Sequence, residues 1–566
     1  MKNSTISERV DDIPVIISTL LGMKLPQIID ENCKKHGNWS GLSIGETSTI
    51  WIAHIISTTN HRLIHVQNWA ETHLNTLSLM LGKPVRKYDF TDDRLAIILE
   101  KFHDSVVWNA IEQGLNQEII RVYDIKPTTV RIDCTTVSSH AIVDDNGLVQ
   151  FGKSKERPDL PAIKIPLATL DPFGLPLHIS TISGNRADDP QYLPLIQKVR
   201  ESLKILGLLY IGDKKMCATA TRADIAGHGD YYLCPLSETL YPASRLAENV
   251  RNIQNSEINL IPVSRKYANG EEKIIAHGFE VSDVVTGLCD GKELTWTERR
   301  VIINSVSFAT SQKESLDTRI QKATNEIYHL TDRGRGKKPP KTLDDCNAKV
   351  AEILENRHLT DLLIVTYDVH EEVKDIREYR DNPARTEIKQ TIKCHAALNQ
   401  EVYDEICMLH GWRVYVTNKP QEEFPLEQVV LVYRNQYIIE DVFHRLKGKP
   451  LSLYPMDLNR DDHIDGLVKI LSIALRGLIC IETKVHDSLK KKQEKFTGIY
   501  AYSPKHTTER PRAERLLEIF NDITLTIAMI DGKTRVLLTK LTDKQLKVLS
   551  LLDLKESIYS KLADIL

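Results

Sequence analysis

The chain has little of what marks a secreted, membrane-spanning or metal-stapled protein. Its nine cysteines, at 33, 134, 217, 234, 289, 346, 394, 407 and 480, include no Cys-x-x-Cys pair. A disulfide framework or a structural zinc site is therefore not expected, and the usage suits a reducing cytoplasm. The amino terminus, Met1-Lys-Asn-Ser-Thr-Ile-Ser-Glu-Arg-Val10, lacks the apolar core of a signal peptide. The longest apolar candidate, Leu467 to Ile481, carries Lys469 and Arg476 and is too short to span a bilayer. It reads as a buried helix packed on a sheet, and no membrane partner is expected. Gly532-Lys-Thr534 suggests a nucleotide loop, but the upstream glycine that such a loop needs is Ile527, so no ATP site is expected. An excess of one charge is missing too. The formal net charge is −3, which excludes a uniformly basic polyanion binder and leaves only local basic surfaces. One candidate runs from Asp441 to Arg512, with 14 Lys/Arg against 9 Asp/Glu; another is the loop Arg333-Gly-Arg-Gly-Lys-Lys-Pro-Pro-Lys341. At 566 residues the chain is too long for one core and is expected to divide into three or four parts.

What is present is concentrated in three segments. Tyr433-Arg-Asn-Gln-Tyr-Ile-Ile-Glu440-Asp-Val-Phe-His-Arg-Leu-Lys447, read as one helix, puts Tyr433, Gln436, Glu440, His444 and Lys447 within an arc of about 80°. Ile438, Ile439, Val442, Phe443 and Leu446 fall on the opposite side. The polar face thus carries a carboxylate suited to a metal ion at Glu440 and an amine suited to a phosphate at Lys447. Thr129-Val-Arg-Ile-Asp133-Cys-Thr-Thr-Val-Ser138 reads as a strand with Arg131, Asp133 and Thr135 on one face. Aspartate is depleted in strand interiors, so Asp133 needs a reason. Leu208-Leu-Tyr-Ile-Gly-Asp213 reads as a central strand buried on both faces. Asp213 sits at its carboxyl end, where open α/β sheets bind ligands.

The order Asp133, Asp213, Glu440, with Tyr433 and Lys447 flanking the glutamate, resembles the DDE transposases of bacterial insertion sequences. More narrowly it resembles the branch named for a Tyr…Arg…Glu…Lys signature with two, three and six residues in the gaps. Tyr433, Glu440 and Lys447 match that spacing, but Gln436 stands where the signature has arginine. Gly152-Lys-Ser-Lys-Glu-Arg-Pro-Asp-Leu160, Gly174-Leu-Pro-Leu177 and Ser183-Gly-Asn-Arg-Ala-Asp188 are also similar to this branch.

The resemblance implies an α/β fold: a ribonuclease-H-like mixed-sheet core, interrupted by an α+β insertion domain and preceded by an all-helical N-terminal domain. Residues 1–120 read as helical, with segments near 15–30, 46–59, 66–81 and 92–113, and by resemblance would recognise DNA ends. Residues 121–240 would form the first half of the core, with strands near 129–138, 163–170, 176–182, 208–212 and 230–236 and helices near 190–205 and 216–226. Residues 241–410 are too long for a loop and are expected to form the insertion. Residues 411–512 would complete the core with the Glu440 helix, and 513–566 read as a hairpin around Asp531-Gly532 and a helix opened by Thr542-Asp-Lys-Gln545.

The chemistry implied is phosphodiester transfer with two Mg²⁺ ions, Mn²⁺ being a plausible substitute, held by Asp133 as the bridging ligand and by Asp213 and Glu440. Lys447, Tyr433, His444 and Gln436 are the candidate DNA contacts. The partners implied are double-stranded DNA, both transposon inverted-repeat ends and target, and a second copy of the chain in the DNA complex. The reaction expected is cleavage at transposon ends followed by strand transfer. The alternatives are a metal-dependent DNA endonuclease without strand transfer, or an inactive, domesticated DNA-binding protein that keeps the fold.

Overall fold

The computed structural model describes residues 4–154, 157–256, 259–267, 270–332, 339–377, 385–454, 456, 458–500, 502–530 and 533–564. The chain forms two compact units. The first comprises Met1–Cys234, Val284–Thr297 and Val432–Leu566, and the second Pro235–Asp283 and Glu298–Leu431.

The first unit opens with strand β1 (Ser4–Arg9) and seven helices: α1 (Ile13–Gly22), α2 (Leu25–Asn32), α3 (Ile44–Thr58), α4 (Val66–Glu71), α5 (Leu74–Leu81), α6 (Asp92–His103) and α7 (Ser105–Val122). β1 departs from the all-helical domain expected over residues 1–120. Its partner lies near the other end of the chain, so no local pattern announces it. Glu8 anchors it, accepting from the backbone N–H groups of Asn75 and Thr76 at the start of α5, both at 2.9 Å.

The sheet that positions the site follows. β2 (Thr129–Ser138), β3 (Ala162–Leu170), β4 (Leu175–Ile179), the short β5 (Ile182–Ser183), β6 (Leu209–Ile211) and β7 (Tyr231–Pro235) lie in the order β4-β3-β2-β6-β7, with β5 on β3. β2, β3 and β4 are antiparallel neighbours, whereas β6 runs parallel to β2 and β7 parallel to β6. Three antiparallel strands continued by two parallel ones, with α8 (Tyr192–Leu203) and α9 (Thr219–Gly227) as crossovers, form a mixed sheet consistent with a ribonuclease-H-like core. β3 is buried along its whole length, as a strand covered on both faces must be.

In the second unit, α10 (Ala243–Gln254) precedes β8 (Ile261–Lys266), β9 (Glu272–Cys289) and β10 (Lys292–Ser305). The long distal hairpin of β9 and β10, Val284–Thr297, belongs to the first unit. α11 (Val306–Tyr328) and α12 (Leu343–Asn356) pack through Leu316, Ile327 and Cys346 on the ribbon of β11 (Leu363–Ile376) and β12 (Arg385–Leu398). α13 (Gln400–Met408) leads to β13 (Trp412–Thr417), antiparallel to β10. The stretch 241–410 overlaps this unit apart from 284–297. Six residues of the basic loop 333–341, residues 333–338, lie outside the described residues.

α14 (Leu426–Arg434) and α15 (Tyr437–Lys447) are separate helices. This corrects the single helix expected from Tyr433 to Lys447. The chain turns at Asn435 and Gln436, whose N–H groups reach back only three residues, to Val432 and Tyr433, at 3.2 and 3.1 Å. The 32-residue α16 (Asp461–Lys492) contains the apolar run and is buried through its middle, packing on β4, α3 and α6. The two charges within the apolar run are paired inside the core: Lys469 Nζ donates to Asp465 Oδ2 at 2.6 Å, and Arg476 donates to Glu112 Oε1 on α7 at 3.0 Å. Among the described residues no single helix is long and apolar enough to cross a membrane.

β14 (Phe496–Thr497) and β15 (Thr507–Thr508) make a small pair before α17 (Ala513–Glu518). β16 (Thr524–Ile530) and β17 (Lys533–Leu538) form the C-terminal hairpin; its turn, residues 531–532, lies outside the described residues. β1 completes this sheet on β16, with Ile6 opposite Ile527. α18 (Asp543–Leu551) starts on the Thr542–Gln545 capping box, and α19 (Ser557–Ser560) follows.

Candidate active site

Strand register brings the first two carboxylates together. Parallel pairing sets Arg131 of β2 against Ile211 of β6, so two residues further on Asp133 stands level with Asp213. Neighbouring strands lie about 4.8 Å apart, and residues in register point to the same face. α15 contributes the third. Its apolar side presses Ile438 and Val442 onto the β3–β4 turn so closely that a Cβ on Gly174 would stand 2.7 Å from Val442 Cγ2. Its opposite side then faces the sheet edge, and Glu440 shares a cleft of about 1400 Å³ with Asp133 and Asp213.

Asp133 is partly buried. Burial pushes its carboxyl up to about 7, the charges of Asp213 and Glu440 add to the rise, and the Cys134 N–H, at 2.8 Å, and Lys215 oppose it. Burial likewise raises the neighbouring Cys134 thiol. Asp213 Oδ1 is held between the hydroxyl of Tyr192, which donates at 2.6 Å, and the Lys215 backbone N–H at 2.9 Å. Glu440 is exposed on the cleft wall. The three carboxylates do not close to within 4.8 Å of one another as a set, a spacing that two other groups among the described residues do reach. They are spread around a cleft rather than gathered on one point.

The remaining candidates sort themselves around that cleft. Tyr433, Gln436, His444 and Lys447 all line it. Because the chain turns between α14 and α15, Tyr433 reaches it from a different helix than Glu440 does. The Gln436 side-chain oxygen accepts from Arg131 at 3.4 Å, and the same guanidinium donates to the Val432 carbonyl at 2.8 Å and to Asp171 at 2.8 Å. A buried arginine on β2 thus reaches the position where the resemblance implied arginine on the helix. Arg445 is unavailable to the cleft, being buried against Glu482 and Glu514.

Several cleft residues carried no separate expectation. Lys164 Nζ donates to Asp188 Oδ1 at 2.7 Å, and Lys215 pairs with the other oxygen of Asp188. The two cations hold the Asp188 carboxyl below its usual value against burial, which by itself raises it. Asp188 closes the Ser183–Asp188 stretch, so its segment was visible although its partners were not; Tyr192 had no signal. The rim is formed where Gly152 and Gly184 pass backbone to backbone: a Cβ on Gly152 would stand 2.1 Å from the Gly184 oxygen. Residues 155–156 of the Gly152–Leu160 stretch lie outside the described residues. Of the 14 Lys/Arg between Asp441 and Arg512, Arg445, Lys469, Arg476 and Arg512 are paired with carboxylates, Arg512 with Asp441.

A mixed sheet with an aspartate-lined cleft at a strand end and a helix-borne glutamate above it defines an α/β protein with an acidic, solvent-open site. The chain belongs to the family of transposase DDE domains, whose model matches residues 135–475, more than half of its length. The match opens two residues past Asp133. The family is one of transposases, enzymes that act on DNA in transposition and recombination. No curated protein matches the chain. Among solved structures it is similar to piggyBac transposase in a synaptic complex with hairpin DNA, with a TM-score of 0.37 and 8% identity over 97% of this chain and 85% of that one, a likeness too distant to bear on the site.

Proposed function

We propose that the protein is a transposase of the insertion-sequence branch with the Tyr…Arg…Glu…Lys signature, carrying Gln436 in place of the arginine, which cleaves transposon ends and transfers the freed strand into target DNA. The observation that carries this reading is the convergence of Asp133, Asp213 and Glu440, from two strand positions and one helix, on a single open cleft. The donor set is all oxygen, hard-ligand chemistry that suits Mg²⁺ or Mn²⁺. Burial of Asp133 beside two further carboxylates leaves a concentration of negative charge that divalent cations would offset. Three carboxylates spread around an open cleft would suit a pair of divalent ions. In this reading Asp133, Asp213 and Glu440 would hold the ions. When bound, the ions supply activation of the attacking oxygen and stabilisation of the leaving oxygen.

The chain's own residues supply orientation. Tyr192 and the Lys215 N–H hold Asp213 in one rotamer, and the Arg131 fork holds the α14–α15 turn against the strand that carries Asp133. Lys447 as a point charge, Tyr433 through its hydroxyl, and His444 and Gln436 beside them contact DNA phosphates, which position the duplex without reading bases. The site first hydrolyses one strand at a transposon end, and the freed 3′-hydroxyl then attacks target DNA, without a covalent intermediate and without ATP. The helical region within residues 1–120 grips DNA ends, two copies hold a pair of ends, and the reaction takes place in the cytoplasm, on the nucleoid.

Duplexes carrying the inverted repeats that flank the gene, incubated with Mg²⁺, test this. Asp133→Asn, Asp213→Asn and Glu440→Gln should each lower cleavage at least about 10³-fold while leaving binding of the duplex largely intact, because only ligation is lost. Near-wild-type cleavage by any of the three removes that residue from the site. Cleavage without joining to target would favour the endonuclease reading, and no cleavage by the wild-type chain the inactive one. Sizing the paired-end complex distinguishes two chains from one.

A further inference from the structure

Among the described residues, two groups of metal-ligating side chains offer one donor atom each with all donors within 4.8 Å: Glu100–Asp462–His463, and Asp224–His228–Cys289–Asp290. In the first, Arg460 already pairs with both carboxylates. The second differs in kind. It joins sulfur, nitrogen and oxygen donors, and the elements that supply them are shaped to meet. Asp224 lies on α9 and His228, four residues on, is its C-cap, whose N–H still donates to the Asp224 carbonyl, so the two share a face. Cys289 and Asp290 sit at the tip of the β9–β10 hairpin, where Asp290 (φ 48°) and Gly291 (φ 74°) form a two-residue turn with both residues left-handed. Gly227 lets that tip close on the helix: a Cβ there would lie 2.4 Å from Cys289 Sγ and 2.9 Å from its Cβ.

The donors are oriented as well as gathered. His228 Nδ1 lies 2.8 Å from the Asp224 backbone oxygen, one turn earlier. An Nδ1–H donated to that carbonyl leaves Nε2 unprotonated, which is how metal-binding histidines are usually held. Nε2 is 3.5 Å from Asp290 Oδ2, while Nδ1 is 3.5 Å from Asp224 Oδ1 and 3.8 Å from Cys289 Sγ. Four tetrahedral ligands at zinc bond lengths stand about 3.3–3.7 Å apart; with Nε2 as the ligand its distance to Asp290 Oδ2 already fits, and the four donors, all within 4.8 Å of one another, close the rest of the shell by drawing in by about 1 Å. The other Asp224 oxygen accepts from Arg200 at 3.1 Å, an outer partner that fixes the carboxylate. A thiolate and an imidazole in a four-donor set select a borderline-soft cation over Mg²⁺.

We propose that Asp224, His228, Cys289 and Asp290 bind one Zn²⁺-class ion that pins the β9–β10 hairpin tip to α9. This helix follows directly on the Lys214–Cys217 turn beyond Asp213, so the ion staples the hairpin to the segment that carries a cleft carboxylate. The site is independent of the acidic cleft and of the reading given to it. No Cys-x-x-Cys pattern announces it, because three of its four ligands are not cysteine.

The test uses the full chain, stripped with a chelator and titrated with ZnCl₂ or CoCl₂ in excess MgCl₂. One equivalent of zinc should bind and raise the melting temperature. Cobalt should give visible bands of a tetrahedral site with a thiolate-to-cobalt band in the near ultraviolet. Cys289→Ser should abolish the thiolate band, and Asp290→Asn should weaken zinc by more than the roughly 10–100-fold that loss of an outer partner costs. Asp290 is exposed, so that variant keeps the measurement available if Cys289→Ser does not fold. Asp133→Asn and Cys134→Ser, in the acidic cleft, should change neither readout. A wild-type chain that binds no stoichiometric zinc over magnesium, a thiolate band that survives Cys289→Ser, or a band lost in Cys134→Ser would each overturn the proposal.

Discussion

Replacing Arg131 by methionine isolates the contact that joins β2 to the helix carrying Glu440. The side chain is fully buried, and its guanidinium serves three acceptors: Asp171 through Nε at 2.8 and 3.0 Å, the Val432 carbonyl at 2.8 Å, and Gln436 at 3.4 Å. Methionine keeps most of the volume and removes every donor. Breaking a buried ion pair from one side costs about 3–5 kcal/mol, and an unsatisfied buried carbonyl about 1–3 more. The terms do not simply add, because burial raises the Asp171 carboxyl and Arg131 now opposes that rise; without Arg131, Asp171 takes up a proton and limits the loss. A net cost of about 4 kcal/mol is expected. Five of the six tryptophans (39, 51, 69, 108 and 296) lie in the first unit, so urea unfolding followed by tryptophan fluorescence reports on it. Adding Asp171→Asn to Arg131→Met should recover part of the loss, with a coupling above about 2 kcal/mol. Arg131→Lys should not rescue, since one ammonium cannot match a planar fork that meets three acceptors. A cost below about 1 kcal/mol, or additivity within about 0.5 kcal/mol, would refute the account.

Tyr192→Phe removes the hydroxyl that orients Asp213 without touching DNA, and should slow cleavage by about 10–100-fold at unchanged DNA affinity; an unchanged rate would show that Asp213 needs no such support. Lys447→Ala should reduce the salt slope of DNA binding by about one counterion across sequences, and an unchanged slope with an unchanged cleavage rate returns Lys447 to the ordinary surface. His54 is buried, and burial, aided by His65 and His73, lowers its pKa from 6.5 to about 4. Its folded value lies below its unfolded one, so the stability that it contributes is present above about pH 6.5 and lost as pH falls towards 4, by at most about 3 kcal/mol. His54→Leu should flatten the urea stability of the first unit over that window, and an unflattened profile would exclude His54 as the cause.

Local pattern carried much of this protein. Thr129–Ser138 is a strand because six of its ten residues are β-branched, and Thr542 with Gln545 starts a helix because the capping bonds are local. Asp133 was conspicuous in that strand because a carboxylate inside a sheet needs a partner, and Asp213 and Glu440 stood out by order and spacing. What needed the tertiary structure were contacts between distant segments. The break between α14 and α15 is held by Arg131 from some 300 residues upstream, so a helical wheel drawn through Tyr433 and Lys447 could not show it. β1 depends on a partner from the far end of the chain, and the Lys164–Asp188–Lys215 and Asp224–His228–Cys289–Asp290 groups form only when strand register and a hairpin turn bring their members together. Secondary structure follows from neighbours a few residues away, whereas a site is assembled from whatever the folded backbone carries to the same place.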